Sequence, residues 1–192
     1  AGDALPATRT GMAVSVADKL DTIAGIFAIG QKPSGTRDPF GLRRAALGLL
    51  RIAIERRLDL DFHALIAHAV QSAATDIARV ASERGQAAAA IDAGKLNADV
   101  YEYVFDRLRA YYLEGNPGFG VTSEMFDAVL ATRPGSPLDF DARLRALGEF
   151  LSLTDAASLA AANKRIANIL RKTSEPVGDH VDDALLIDPA EQ

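Results

Sequence analysis

Apolar residues recur at helical spacing along most of this chain. In segment 12–29, Met12, Val16, Leu20, Ile23 and Phe27 follow one another at i+3 and i+4 steps and form a single stripe. Gly30 is placed to end that helix, and Asp18, Asp21 and Gly25 share its opposite side. Residues 30–39 are punctuated by Gly, Pro and Ser and read as a loop. Asp38 then offers an N-cap and Pro39 a first helical residue, so a second helix is expected over 39–58. That helix is apolar on two sides, with Phe40, Leu47, Leu50, Ile54 and Leu58 on one and Leu42, Leu49 and Ile52 on the other. Such a helix is normally buried between neighbours. A narrow stripe of Arg44, Gly48, Arg51 and Glu55 separates the two faces, and Glu55 is spaced to serve Arg51 at i+4.

Further helices are expected over 61–83 (Phe62, Leu65, Ile66, Ala69, Val70, Ile77, Val80), 97–114 (capped by Asn97, with Val100, Val104, Leu108 and Tyr111), 123–131 and 139–151. The Ala-rich stretch 84–96 reads as a fraying connector, and Gly115–Gly120 and Arg133–Pro137 as turns. A last helix spans 155–172, capped by Ser152 or Thr154. Leu159, Ala162, Asn163, Ile166, Ile169 and Leu170 lie on one arc, and Lys164, Arg165, Asn168, Arg171 and Lys172 on the other. Asn163 on the apolar arc calls for a buried partner and reads as a bond between helices. An acidic stretch follows at 174–192. No segment carries a convincing strand signal, so the expected fold is all-α, an irregular array of many helices.

Composition narrows the chemistry. The 192 residues are 48% hydrophobic and carry a net charge of −5, too apolar and too weakly charged for a disordered chain. There is no Cys, which excludes disulfides, thiolate metal sites and a thiol nucleophile, and fits a reducing compartment. No apolar run approaches the ~18 residues that span a bilayer, and no signal peptide opens the chain. A cytoplasmic location is therefore expected, with neither membrane nor DNA as a partner. The first residues, Ala-Gly-Asp, lack Met, and the expectation is a piece of something longer.

Three histidines are present, His63, His68 and His180. His63 and His68 lie about 140° apart around a helix and cannot share a metal as an i, i+4 pair does; all three read as structural or solvated. No nucleophile elbow, Walker loop or dinucleotide fingerprint occurs. The run Val16-Ala-Asp-Lys-Leu-Asp-Thr22 resembles the last motif of HD-type phosphohydrolases, in which Asp18 would be the final metal ligand. The His and His-Asp pair of that motif are missing from this chain, so no metal site is expected here.

The basic face of the last helix is suited to phosphates, with Asn168 able to add a hydrogen bond. Lys32, Arg37, Arg43 and Arg44 form a second basic cluster, although Arg43 and Arg44 are equally suited to intramolecular pairs that anchor the 30–39 loop. The acidic balance argues against a free-standing nucleic-acid binder but leaves a local basic face open.

Two long blocks carry a family resemblance. The run from Ala17 through Gly30-Gln-Lys-Pro-Ser-Gly-Thr-Arg-Asp-Pro-Phe-Gly-Leu-Arg-Arg44 to Ile52 resembles the beta subunit of bacterial glycyl-tRNA synthetase. Phe140-Asp-Ala-Arg-Leu-Arg-Ala-Leu147 and Ala160-Ala-Ala-Asn-Lys-Arg-Ile-Ala-Asn-Ile-Leu-Arg-Lys172 are similar to the opening of that subunit's anticodon-binding region. The segments 104–113 and 125–131 also fit, whereas 82–95 and Gly115–Gly120 are longer than the family's pattern.

The resemblance implies an all-helical piece of a longer subunit: residues 1–60 the tail of an HD-like domain, 61–138 a helical connector, and 139–192 the start of a DALR-like anticodon-binding domain. It implies an aminoacyl-tRNA synthetase of two alpha and two beta subunits. The alpha subunit would attach glycine using ATP and Mg²⁺, and the beta subunit would hold tRNA(Gly). This piece would carry no catalytic residue and no cofactor of its own. The tRNA contacts would be Lys164, Arg165, Asn168, Arg171 and Lys172, with Lys32, Arg37, Arg43 and Arg44 as the second cluster. The alternatives are a remnant of an HD-type metal phosphohydrolase and a helical subunit-interaction module built on the two-sided helix.

Overall fold

The computed structural model describes residues 4–33, 37–87, 90–115 and 119–173. The acidic stretch 174–192 lies outside them. Among the described residues are seven α-helices and no strand: α1 (Arg9–Ala28), α2 (Leu42–Glu55), α3 (Phe62–Glu83), α4 (Ala93–Arg109), α5 (Ser123–Ala131), α6 (Pro137–Leu151) and α7 (Ala156–Lys172). A π-helical turn, Ala110–Glu114, continues α4. Backbone contacts divide the chain into two units, Ala1–Gly148 and Glu149–Gln192. In the first unit, α1 packs on α2, α3 and α4, and α4 also packs on α2 and α3. The boundary expected near residue 60 therefore falls inside a packed group of helices.

The apolar stripe of α1 is buried as its spacing predicts, with Val16, Leu20, Ile23 and Phe27 in the core and Met12 packed against it. The helix ends where Gly30 turns left-handed at φ 75°. There the amide of Gln31 donates to the Ile26 carbonyl and that of Gly30 to the Phe27 carbonyl, a paired closure that favours glycine. Both apolar sides of α2 are buried, through Leu42, Ala46, Leu49, Leu50 and Ile52 to Ile54. Between them Gly48 lets the Lys19 stem approach, so that a Cβ there would lie 3.1 Å from the Lys19 Cε. Arg51 and Glu55 pair at 2.7 Å.

The second helix starts at Leu42, not at Pro39, because Gly41 adopts a left-handed φ of 66° and breaks any earlier turn. Asp38 still caps it at a distance: its carboxylate accepts from the Leu42 amide at 2.8 Å and the Arg43 amide at 2.9 Å. Phe40, expected on a buried face, precedes the helix and is exposed.

The fourth helix starts earlier than expected. Asp92, not Asn97, is its cap, accepting from the Lys95 amide at 3.0 Å. The extra turn buries Leu96 and leaves Asn97 inside the helix. At the other end the buried series runs Val100, Val104, Leu108, Tyr112, so Tyr112 rather than Tyr111 enters the core. The wide turns of the π segment end at Gly115, where a Cβ would sit 2.5 Å from the Tyr111 carbonyl oxygen.

Aromatic rings bind the second half of the first unit. Phe140 of α6 contacts Phe105, Tyr112 and Phe126 at 5.2–6.3 Å between centroids. The Tyr112 hydroxyl donates to Asp141 at 2.7 Å, and Asp141 also accepts from Arg145 at 2.8 Å, whose guanidinium lies over Phe119.

The second unit is described through α7. It begins at Asp155 without a side-chain cap, since the Ser152 hydroxyl instead donates back to the Glu149 carbonyl. Leu159, Ile166, Ile169 and Leu170 are each about half exposed, and Asn163 is exposed as well. The expected buried partner for Asn163 is therefore absent among the described residues, because the arc it shares is itself uncovered.

Phe105 is fully buried and touches the rings of Phe62, Tyr101 and Phe140. Phe105→Ala is expected to cost about 3–5 kcal/mol, measured by urea denaturation followed by circular dichroism. A loss below about 1 kcal/mol would show that this ring does not hold α4 to α6.

Candidate functional site

The helical spacing of the last segment sets its polar face. In α7, Lys164, Arg165, Asn168 and Lys172 recur at i+3 and i+4 steps and line a shallow hollow of about 320 Å³, with Ala161 and Ile169 as its apolar parts. Arg171 donates to the Asn168 carboxamide oxygen, which orients one guanidinium beside that hollow. The helix contains no Asp or Glu, and Lys164, Arg165 and Lys172 have no carboxylate partner among the described residues. Arg171 and Lys172 in the last turn also complement the negative end of the helix dipole.

The second basic cluster is partly tied down. Lys32 pairs with Asp99 and lies over the Phe27 ring. The Arg43 amide is held by Asp38, and the Arg44 guanidinium lies close to Gly41. Arg37 is exposed. Near this cluster stands Tyr103, whose phenol is raised by burial and further by Asp38, against the opposing charges of Arg107 and Arg43.

Asp18 is exposed on α1. It lines a larger hollow of about 790 Å³ with Asp21 and His68 over an apolar wall that includes Met12, Val16 and Leu65. Among the described residues no group of three or more His, Asp or Glu is placed to hold a metal.

One cluster has no counterpart in the sequence pattern. His63, at the start of α3, is exposed and stacks nearly parallel on Tyr101 of α4, with centroids 4.7 Å apart and planes 12° from each other. Tyr101 is buried, stacks on Phe105 at 4.2 Å, and donates its hydroxyl to the Pro134 carbonyl at 2.9 Å. Arg133 places its guanidinium 4.9 Å from the Tyr101 centroid, and its carbonyl lies 3.3 Å from the His63 Nε2. Arg133 follows α5 in a left-handed conformation, φ 48°, closing that helix through its amide to the Leu130 carbonyl. A hollow of about 230 Å³ is lined by His63, Gly94, Asn97, Ala98, Tyr101 and Arg133 together with Ile66, and the Asn97 Oδ1 is buried with no hydrogen-bond partner. Residues 63, 101 and 133 come from three elements, so no local spacing could have shown them.

Comparison with known proteins identifies relatives of this chain. A family model described as the glycyl-tRNA synthetase beta subunit matches residues 1–131. The glycine–tRNA ligase beta subunit of Pseudomonas aeruginosa (strain LESB58) is 47% identical over 192 residues, covering 100% of this chain and 25% of the relative. That of Edwardsiella ictaluri is 47% identical over 191 residues, with 100% and 25% covered. That of Hahella chejuensis is 51% identical over 172 residues, with 90% and 22% covered. The chain thus spans about a quarter of the length of the curated relatives it matches.

The phenols offer a direct check on the packing of this region. The chain has four tyrosines, and all four phenols are raised. Burial is the leading cause in each; it pushes Tyr101 up to about 12 and, helped by the hydrogen bond to Asp141, pushes Tyr112 higher still. The folded chain then keeps protons that the unfolded chain releases near pH ~10. Stability from these groups is complete below that value and falls as pH rises from ~10 through about 12. Phenolate absorbance should show no tyrosine titrating at the ordinary value before unfolding begins. A full set of phenols titrating near 10 in the folded chain would contradict the packing.

Proposed function

The chain belongs to the family of the glycyl-tRNA synthetase beta subunit, and on that premise we propose that it is a tRNA-binding portion of such a subunit. In this reading the assembled enzyme attaches glycine to tRNA(Gly) in the cytoplasm. ATP and Mg²⁺ act at a separate alpha subunit, and the present residues contribute no reacting group. The observation that carries the proposal is the polar face of α7, where Lys164, Arg165 and Lys172 stand without a neutralising carboxylate among the described residues. Cations presented in this way release counterions when they meet phosphates, which favours binding without reading sequence. Asn168, able to donate and accept, adds a directional contact to a phosphate or base edge. In the second cluster, Arg37, Arg43 and Arg44 have a lesser role than α7, because Lys32 is spent on Asp99.

The subunit-interaction module expected on the two-sided helix loses its docking face there, because both sides of α2 are buried in the core. A second reading places such a module on α7, favoured by the half-exposed Leu159, Ile166, Ile169 and Leu170 on its other arc. The two readings use different faces of the same helix, and protein on the apolar arc leaves the basic arc available to RNA. The HD-type hydrolase reading has Asp18 as its single support in this chain.

The test uses the full-length subunit assembled with its alpha partner. Lys164→Glu combined with Arg171→Glu is expected to weaken tRNA(Gly) binding by about tenfold or more. It should also shrink the slope of log affinity against log salt by about one unit for each phosphate no longer neutralised. Glycine-dependent ATP–pyrophosphate exchange should be unchanged. Unaltered tRNA affinity and slope would sink the assignment of α7.

A further inference from the structure

The aromatic ladder of the first unit runs from Phe140 through Phe105 and Tyr101 and ends at the surface in the exposed ring of His63. We propose that the outer face of His63, with Asn97 and Arg133, receives one unstacked nucleobase of a bound RNA. This rests on the proposal that the subunit engages tRNA, and adds to it a base-stacking site separate from α7.

Rigidity is the first argument. The inner face of His63 lies flat on a buried tyrosine, and its Nε2 is tied to the Arg133 carbonyl at 3.3 Å. An aromatic plate held flat on one side in a residue exposed at the surface is what an extruded base stacks upon, since every base has a π-face. Size is the second. The adjoining hollow of about 230 Å³ falls below the ~300–1,000 Å³ of pockets for drug-sized ligands, and suits a single planar heterocycle.

Polarity is the third argument. Asn97 lines that hollow, and its Oδ1 is buried without a partner. A buried acceptor left unpaired costs free energy that a ligand donor can recover. An exocyclic amine or ring N–H on a base edge supplies such a donor. Arg133 completes the set: its side chain is 53% exposed, with Glu102 3.7 Å from one terminal nitrogen and the Tyr101 ring beneath the guanidinium. Its remaining donors are available to the sugar or phosphate of the same nucleotide. The helix-closing conformation of Arg133, with its amide bonded to the Leu130 carbonyl, fixes the backbone from which that guanidinium extends.

The experiment measures tRNA(Gly) affinity at several salt concentrations for the full-length subunit assembled with its alpha partner. His63→Ala removes the plate and is expected to weaken binding about tenfold with an unchanged salt slope, because every cation that meets a phosphate is still in place. His63→Phe keeps a stacking face and should restore most of the affinity, which a merely structural role for the imidazole bond would not allow. Asn97→Leu, close in volume, should weaken binding of tRNA without lowering the melting temperature, since it removes an unpaired polar group. Affinity unchanged in both His63→Ala and Asn97→Leu overturns the site. That result together with a slope change from the α7 reversals would leave the α7 assignment standing. The opposite pattern, weaker binding from His63→Ala and no change from the α7 reversals, would overturn α7 and keep this site.

Discussion

Burial of one long face of α4 is the constraint on which the first unit depends. From Leu96 to Tyr112 that face contributes Val100, Tyr101, Val104, Phe105 and Leu108, each buried. It contacts α1, α2 and α3 and, through its rings, α6, where Phe140 in turn meets Phe126 of α5. Apolar burial is worth roughly 25 cal/mol per Å², and aromatic pairs add specific geometry beyond area. A face of this length cannot slide by one residue without turning Tyr101 or Tyr112 toward solvent. The π turn at Ala110–Glu114 and the close approach at Gly115 follow from that demand, since they let Tyr112 reach both Phe140 and Asp141. The position of His63 and Arg133 follows as well, because both are registered on Tyr101.

Periodicity made the helices legible because each needs one buried stripe, and a stripe survives errors at its ends. The stripe of α1 and the two-sided burial of α2 were readable in this way. Ends were less legible because competing caps look alike in one dimension. Asp92 and Asn97 can both accept an amide hydrogen bond, and burial of Leu96 tips the choice to Asp92. Asp38 caps α2, yet its helix begins beyond Gly41, whose left-handed conformation no stripe reveals. Asn163 shows the limit of inferring burial from pattern: its arc is amphipathic by sequence, but an arc is buried only where something covers it.

Candidate sites divide along the same line. The cations of α7 share one helix, so i+3 and i+4 spacing alone is enough to bring them together. The cluster at His63 joins the first turn of α3, the middle of α4 and the closing residue of α5. Each member alone reads as a surface histidine, a core tyrosine or a turn arginine. Only the stacking distance between His63 and Tyr101 and the orphaned Asn97 oxygen mark it.

Charge is the remaining thread, and the net value of −5 conceals how it is arranged. In α3 and α6 the arginines meet carboxylates within their own helix: Arg79 with Asp76 and Glu83, Arg143 with Asp139, Arg145 with Asp141. Such pairs within one helix contribute little stability, but they cancel the field that an arginine would project. Between α4 and α5, Arg109 and Asp127 do the same. The α7 cations lie on a helix without a carboxylate of its own, and among the described residues no carboxylate pairs with Lys164, Arg165 or Lys172. Over a Debye length of ~8–10 Å, a phosphate approaching α7 responds to that local excess and hardly at all to the total. An acidic chain can therefore present a local basic face to nucleic acid, since charge acts over that distance and not through the total.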